Sequence, residues 1–171
     1  MKRITIILLA LLMSFALFSC GGKEKSAPPA PDDFSFAYTW GCEYGPSRYD
    51  SKTGELIKTK HATNPADFVT TLVLSDEIRQ NVWELIWALD VSSYPDEYYP
   101  ENGYAMPPST FVLTVRANGA EKTIKAEDNS GSFVSKTEKG QAFLDVCKYI
   151  KTVLISSEEW KALPEYEIFF Y

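Results

Sequence analysis

The chain has 171 residues, 17 basic and 23 acidic side chains, a formal charge of −6, one histidine and three cysteines. An acidic balance without clustered Lys and Arg argues against nucleic-acid binding, because phosphate contacts need concentrated positive charge. One histidine also leaves hydrolytic triads and His/Cys zinc sites short of members, so no catalytic residue, metal site or cofactor is assigned.

The chain opens with Lys2 and Arg3, followed by an uncharged stretch from Ile4 to Ser19. A positive start, a short apolar run and a small residue before a cut site describe a secretory signal peptide. The run is shorter than the roughly 20 apolar residues needed to cross a bilayer core. Its end, Leu17-Phe18-Ser19-Cys20, resembles the lipobox of bacterial lipoproteins, which signal peptidase II cleaves. That resemblance implies removal of residues 1–19 and a mature chain beginning at Cys20, acylated on its thiol and its new amino terminus. The lipid bilayer is then a partner through Cys20, and two or more acyl chains make the attachment stable. The same resemblance implies the outer membrane of the cell envelope, because Gly21 stands where an Asp favours inner-membrane retention in such lipoproteins. Losing Lys2 and Arg3 leaves 15 basic against 23 acidic residues, a net charge of −8.

Residues 20–33 read as the lipidated cysteine and a flexible tether. The segment Gly21 to Asp33 is glycine, proline, alanine and charge, with too little apolar surface to fold. Residues 34–171 are long enough for one domain with a real core.

Phe34, Phe36, Tyr38, Trp40 and Cys42 alternate with small or polar residues, which predicts a half-buried strand. Gly45-Pro46 ends it. Tyr49 and Asp50 lead into the turn Ser51–Gly54 and a strand over Glu55–His61, a hairpin by its turn chemistry. A third strand is expected over Phe68–Leu74. Ser75 then caps a helix over 76–89, with Asp76 and Glu77 favouring its N-terminus and Ile78, Val82, Leu85, Ile86 and Leu89 forming its apolar stripe. Trp83 and Trp87 widen that stripe as core-edge packing.

Asn118-Gly119 joins Thr110–Ala117 to Ala120–Glu127 through a type I′ turn, placing Leu113 opposite Ile124 and Phe111 opposite Ala126. Ser135 and Glu138 have the spacing of a capping box for a helix reaching Leu154. A short turn follows through Trp160, and Tyr166–Tyr171 is expected as an edge strand. The order β-β-β-α-β-β-α-β predicts an α+β fold, with an antiparallel or mixed sheet of five to six strands and two helices on one face.

Cys42 and Cys147 both lie in phase with apolar neighbours, so they face inward as either a disulfide or two buried thiols. A bridge would close a loop of just over 100 residues and contribute about 4.7 kcal/mol on the chain-entropy model. The basic run Lys58–His61 reads as a solvated strand edge. The acidic pairs Asp96/Glu97, Glu127/Asp128 and Glu158/Glu159 are sequence neighbours, whereas glycosidase acids oppose each other across a cleft.

One segment departs from ordinary turn chemistry. Ser92–Ser109 holds four tyrosines and four prolines, and long loops of this kind often carry function. Tyr94, Tyr98, Tyr99, Asn102 and Tyr104 are the candidate binding residues, for a protein partner or for a glycan. The alternative is a cover packed inward over the sheet edge. The sequence therefore supports a membrane-anchored envelope lipoprotein acting as a non-enzymatic binding or accessory module. A glycan-binding role and a carboxylate-dependent hydrolase are the alternatives.

Overall fold

The computed structural model describes residues 26–41, 45–59, 67–100, 108–128 and 137–165. Seven strands form one mixed sheet: β1 (Ser35–Gly41), β2 (Ser47–Asp50), β3 (Glu55–Lys58), β4 (Phe68–Thr71), β5 (Glu97–Tyr98), β6 (Ser109–Ala117) and β7 (Ala120–Asp128). Their spatial order is β4-β3-β2-β1-β6-β7-β5. All neighbours are antiparallel except β5, which runs parallel to β7. The helices are α1 (Asp76–Leu89), α2 (Glu138–Ser156) and the short α3 (Glu158–Lys161).

The α+β expectation holds, with more strands than the sequence predicts. β2 contributes one large inward residue, Tyr49, in four positions, and β5 is two residues long, so neither carries a strong period-two signal. β5 is held from outside its own sequence: the Lys125 amide donates to the Asp96 carbonyl at 2.7 Å. β4 stops at Thr71 rather than Leu74, and Val73 is 83% exposed.

The β6–β7 register is the expected one, with Leu113 against Ile124 and Phe111 against Ala126. Asn118 (φ 53°) and Gly119 (φ 74°) supply the two left-handed residues that a type I′ turn needs. The matched rows continue across β1, where Tyr38 faces Leu113 and Trp40 faces Phe111. This face packs against Val82, Trp83, Ile86 and Leu89 of α1 and against Phe143, Leu144, Cys147, Ile150 and Leu154 of α2. Both helices thus cover one side of the sheet, while the other side carries Thr39, Val112, Thr114 and Arg116.

Ser75 caps α1 as expected, its Oγ accepting from the Ile78 amide at 3.3 Å. The cap of α2 differs. Thr137 takes the position, with Oγ1 accepting from Gly140 at 3.0 Å, and Glu138 becomes the first helical residue. Ser135 lies outside the described residues, as do His61 and Tyr166–Tyr171. Lys58 is also not part of a solvated edge. It is 5% exposed, with its ammonium 5.0 Å from the Trp160 ring centroid and 3.5 Å from the Leu163 carbonyl.

Candidate binding surfaces

The stretch before β1 is folded onto the domain, from Pro28 onward, where composition alone predicts tether up to Asp33. The Ala30 amide donates to Gln80 Oε1 at 2.8 Å, and Trp83 Nε1 donates to the Pro28 carbonyl at 2.8 Å. Arg79 Nη2 reaches the carbonyls of Phe34 (2.7 Å), Pro31 (3.1 Å) and Asp32 (3.2 Å), with its guanidinium over the Phe34 ring. Asp33 accepts from the Asn118 and Gly119 amides at 2.9 and 2.7 Å, clipping this strap to the hairpin turn. Those two N–H groups favour the anion and hold the Asp33 carboxyl below its ordinary range.

Beside the strap lies a groove of about 750 Å3 between the second half of α1 and the β6–β7 hairpin. Trp83, Ile86, Trp87, Val91, Val115 and Ala117 supply its apolar lining, and Asp90, Glu121 and Lys122 are also at its wall. Trp83 is 7% exposed, whereas Trp87 is 37% exposed. The i,i+4 pair therefore divides its work: one indole is core and the other stands at the surface. Local backbone shapes this wall. Asp90 adopts φ 48° and turns the chain from α1 into a 3-10 turn at Val91–Ser93, with its carboxylate accepting from Ser92 Oγ at 2.6 Å.

A second, polar hollow of about 580 Å3 lies across the strap, near Lys52, Arg79, Arg116 and Glu121. Both of its guanidinium groups are already engaged. Arg116 pairs with Glu121 at 2.7 Å and Asp50 at 3.3 Å, and Arg79 holds the strap.

The tyrosine-rich segment is divided by burial. Tyr94 is 3% exposed; its hydroxyl donates to the Lys139 carbonyl at 2.9 Å, and its ring packs on Tyr98 and Phe143. Tyr98 is half-buried and meets Phe143 edge-on at 5.5 Å. Tyr99 is 57% exposed. Asn102 and Tyr104 lie outside the described residues. Tyr94 and Tyr98 thus serve as inward cover, and Tyr99 alone among the described tyrosines of this loop offers its ring outward.

Cys147 is buried and has no disulfide partner among the described residues; Cys42 lies outside them. Burial pushes the Cys147 thiol far up, which makes it a poor nucleophile at neutral pH. It sits by the Tyr38 hydroxyl, an oxygen that is fully buried and reaches no well-formed hydrogen bond among the described residues. Asp96 pairs with Lys122, Asp67 with Arg48 and Glu158 with Lys161, while Asp50 and Glu121 share Arg116, whose positive charge favours both as carboxylates. Asp33 and Glu158 are pulled down in pKa, opposite to the rise a general acid needs. Among the described residues no group of three or more His, Cys, Asp or Glu is placed to hold a metal ion.

Burial also gives the fold an alkaline limit. Tyr49 and Tyr94 are both pushed up to about 12, chiefly because their neutral forms are favoured inside the protein. An unfolded tyrosine ionises near pH 10. Stability from these groups is therefore whole below about pH 10 and declines as pH rises toward about 12. Urea midpoints measured across that window should fall steadily, and Tyr94→Phe should flatten part of the fall.

No known protein family matches the chain, and no curated protein resembles it in sequence.

Proposed function

We propose that this chain is a lipid-anchored lipoprotein of the bacterial cell envelope, held in the outer membrane through Cys20, whose domain is a non-enzymatic accessory module for a protein partner. The supporting observation is the polarity of the sheet. The strap leading back toward Cys20 is clipped by Asp33 to the hairpin turn, at the end where β1 begins and β6 finishes. Tyr98 pairs in the row of Ala126 and Phe111, near the opposite end, and Tyr99 follows it with an exposed ring. A domain anchored at one end thereby presents an aromatic side chain at the other, and tyrosine suits interfaces because it joins an apolar ring to a polar tip.

Two measurements test this. Mass spectrometry of the native mature protein should find Cys20 as the acylated first residue; an unmodified thiol there removes the anchor. A photo-crosslinking residue at position 99 in intact cells should give a discrete protein adduct that the same probe at position 52 does not. Equal adducts at both positions would remove the contact surface. Saturable retention on envelope polysaccharide, lost in Tyr99→Ala, would instead establish the glycan alternative, which the exposed ring also suits.

A further inference from the structure

Trp83 belongs to both the strap and the groove. Its Nε1 holds the Pro28 carbonyl while its ring lines the apolar wall. The chain preceding Pro28 therefore leaves the domain at the margin of the groove. Cys20 is eight residues before Pro28. Such a span reaches about 28 Å fully extended and about 16 Å as a flexible coil.

We propose that the groove between α1 and the β6–β7 hairpin is the face this domain turns to its own bilayer, with Trp87 entering the layer of headgroups and outer acyl segments. The inference rests on the lipid anchor at Cys20 and supplies an occupant for the groove. Indole is enriched at that depth because its ring is apolar and its N–H needs a polar partner. Trp87, Val91, Ala117 and Ala120 are the apolar groups with accessible surface at the groove and can cover acyl methylenes, with Ile86 and Val115 buried beneath them. Asp90, Glu121 and Lys122 at the wall keep the contact shallow, since a charge carried into hydrocarbon is strongly disfavoured.

The same contacts argue against an extended peptide in this place. An extended peptide is held through its backbone carbonyls, and the indole N–H at the groove wall, that of Trp83, is already committed to the chain's own strap. The acidic charge of the mature chain also means that apolar contact, rather than attraction to anionic headgroups, must hold the face to the bilayer.

The test uses the full acylated protein in vesicles of phosphatidylethanolamine and phosphatidylcholine, with and without a lipid brominated near the ester end of its chains. Bromine quenches indole emission only on close approach. The wild type should lose on the order of one indole's share of the emission from its four tryptophans, and Trp87→Phe should lose almost none. Added salt should leave the quenching unchanged, because the contact is apolar. Quenching that is absent in the wild type, or equal in both proteins, overturns the inference. So does a groove found crosslinked to a peptide or to a second copy of the chain. Mass spectrometry of the same sample separates the two levels. An unmodified Cys20 overturns the anchor and the inference together, whereas an acylated protein with an unquenched Trp87 overturns the bilayer-facing groove alone.

Discussion

Phe143→Ala is expected to lower the unfolding free energy by about 3–5 kcal/mol, the range for removing a fully buried phenylalanine. Phe143 is 0% exposed and stands between helix α2 and the tyrosine segment, with Tyr94 and Tyr98 both at 5.5 Å from its ring. Truncation opens a cavity that two aromatic rings cannot fill without leaving their own hydrogen bonds. Tyr94 would have to abandon the Lys139 carbonyl. Domains of this size are stable by only about 5–15 kcal/mol, so the variant should unfold at a much lower urea concentration with an unchanged slope. Tyr99→Ala is the internal comparison. An exposed side chain away from the core should change stability by no more than about 0.5 kcal/mol. Similar losses in both variants would mean that the tyrosine segment is not divided into an inward and an outward part.

The second large effect is local. Arg79→Ala removes the cation that gathers the Pro31, Asp32 and Phe34 carbonyls, and hydrogen bonds to charged groups contribute about 1.5–3 kcal/mol each way of counting them. Nη2 has two protons for three acceptors, so the contacts are shared and their sum stays within that range. The loss should fall on the strap rather than on the sheet. Hydrogen exchange at the Ala30 and Phe34 amides should accelerate by one to two orders of magnitude, about 1.4 kcal/mol per factor of ten, while amides in β6 and β7 keep their protection. Arg79→Lys should restore part of the protection, because all three carbonyls are reached from one nitrogen and an ammonium offers three N–H donors, although the planar group over the Phe34 ring is lost. On the proposed anchoring at Cys20, a released strap would lengthen the span between anchor and domain and loosen the orientation proposed for the groove. Uniform acceleration across the sheet would instead make Arg79 a general determinant of folding.

Much of the scaffold is decided by short-range chemistry and is therefore readable along the chain. Asn118-Gly119 can form few turns other than type I′, and that turn alone sets which residues of β6 and β7 face each other. Ser75 followed by Asp76 and Glu77 fixes where α1 begins, and the alternation from Phe34 to Trp40 chooses the buried side of β1. Neighbouring chemistry was weaker elsewhere. Ser135 would cap a helix beginning at Lys136 and Thr137 one beginning at Glu138, and spacing along the chain does not choose between them. Lys58 reads as solvated from its neighbours in sequence because its partner, Trp160, lies on α3 about a hundred residues later.

The candidate surfaces belong to the second category. The strap has no large apolar residue from Pro28 to Asp33, so composition marks it as tether; its docking depends on α1 side chains some 45 to 55 positions away. Only the folded chain brings Trp87 beside Val115 and Ala117, or turns Tyr94 inward and Tyr99 outward within one irregular segment. Sequence by itself determined the class of fold, the hairpin register, the first helix and the chemistry that makes Cys20 an anchor candidate, because each depends on residues within a few positions of one another. Tertiary structure decided that the chain from Pro28 docks on the domain, which indole and which tyrosine remain at the surface, and what lies at each end of the sheet, because those depend on contacts between segments that meet only when the core closes.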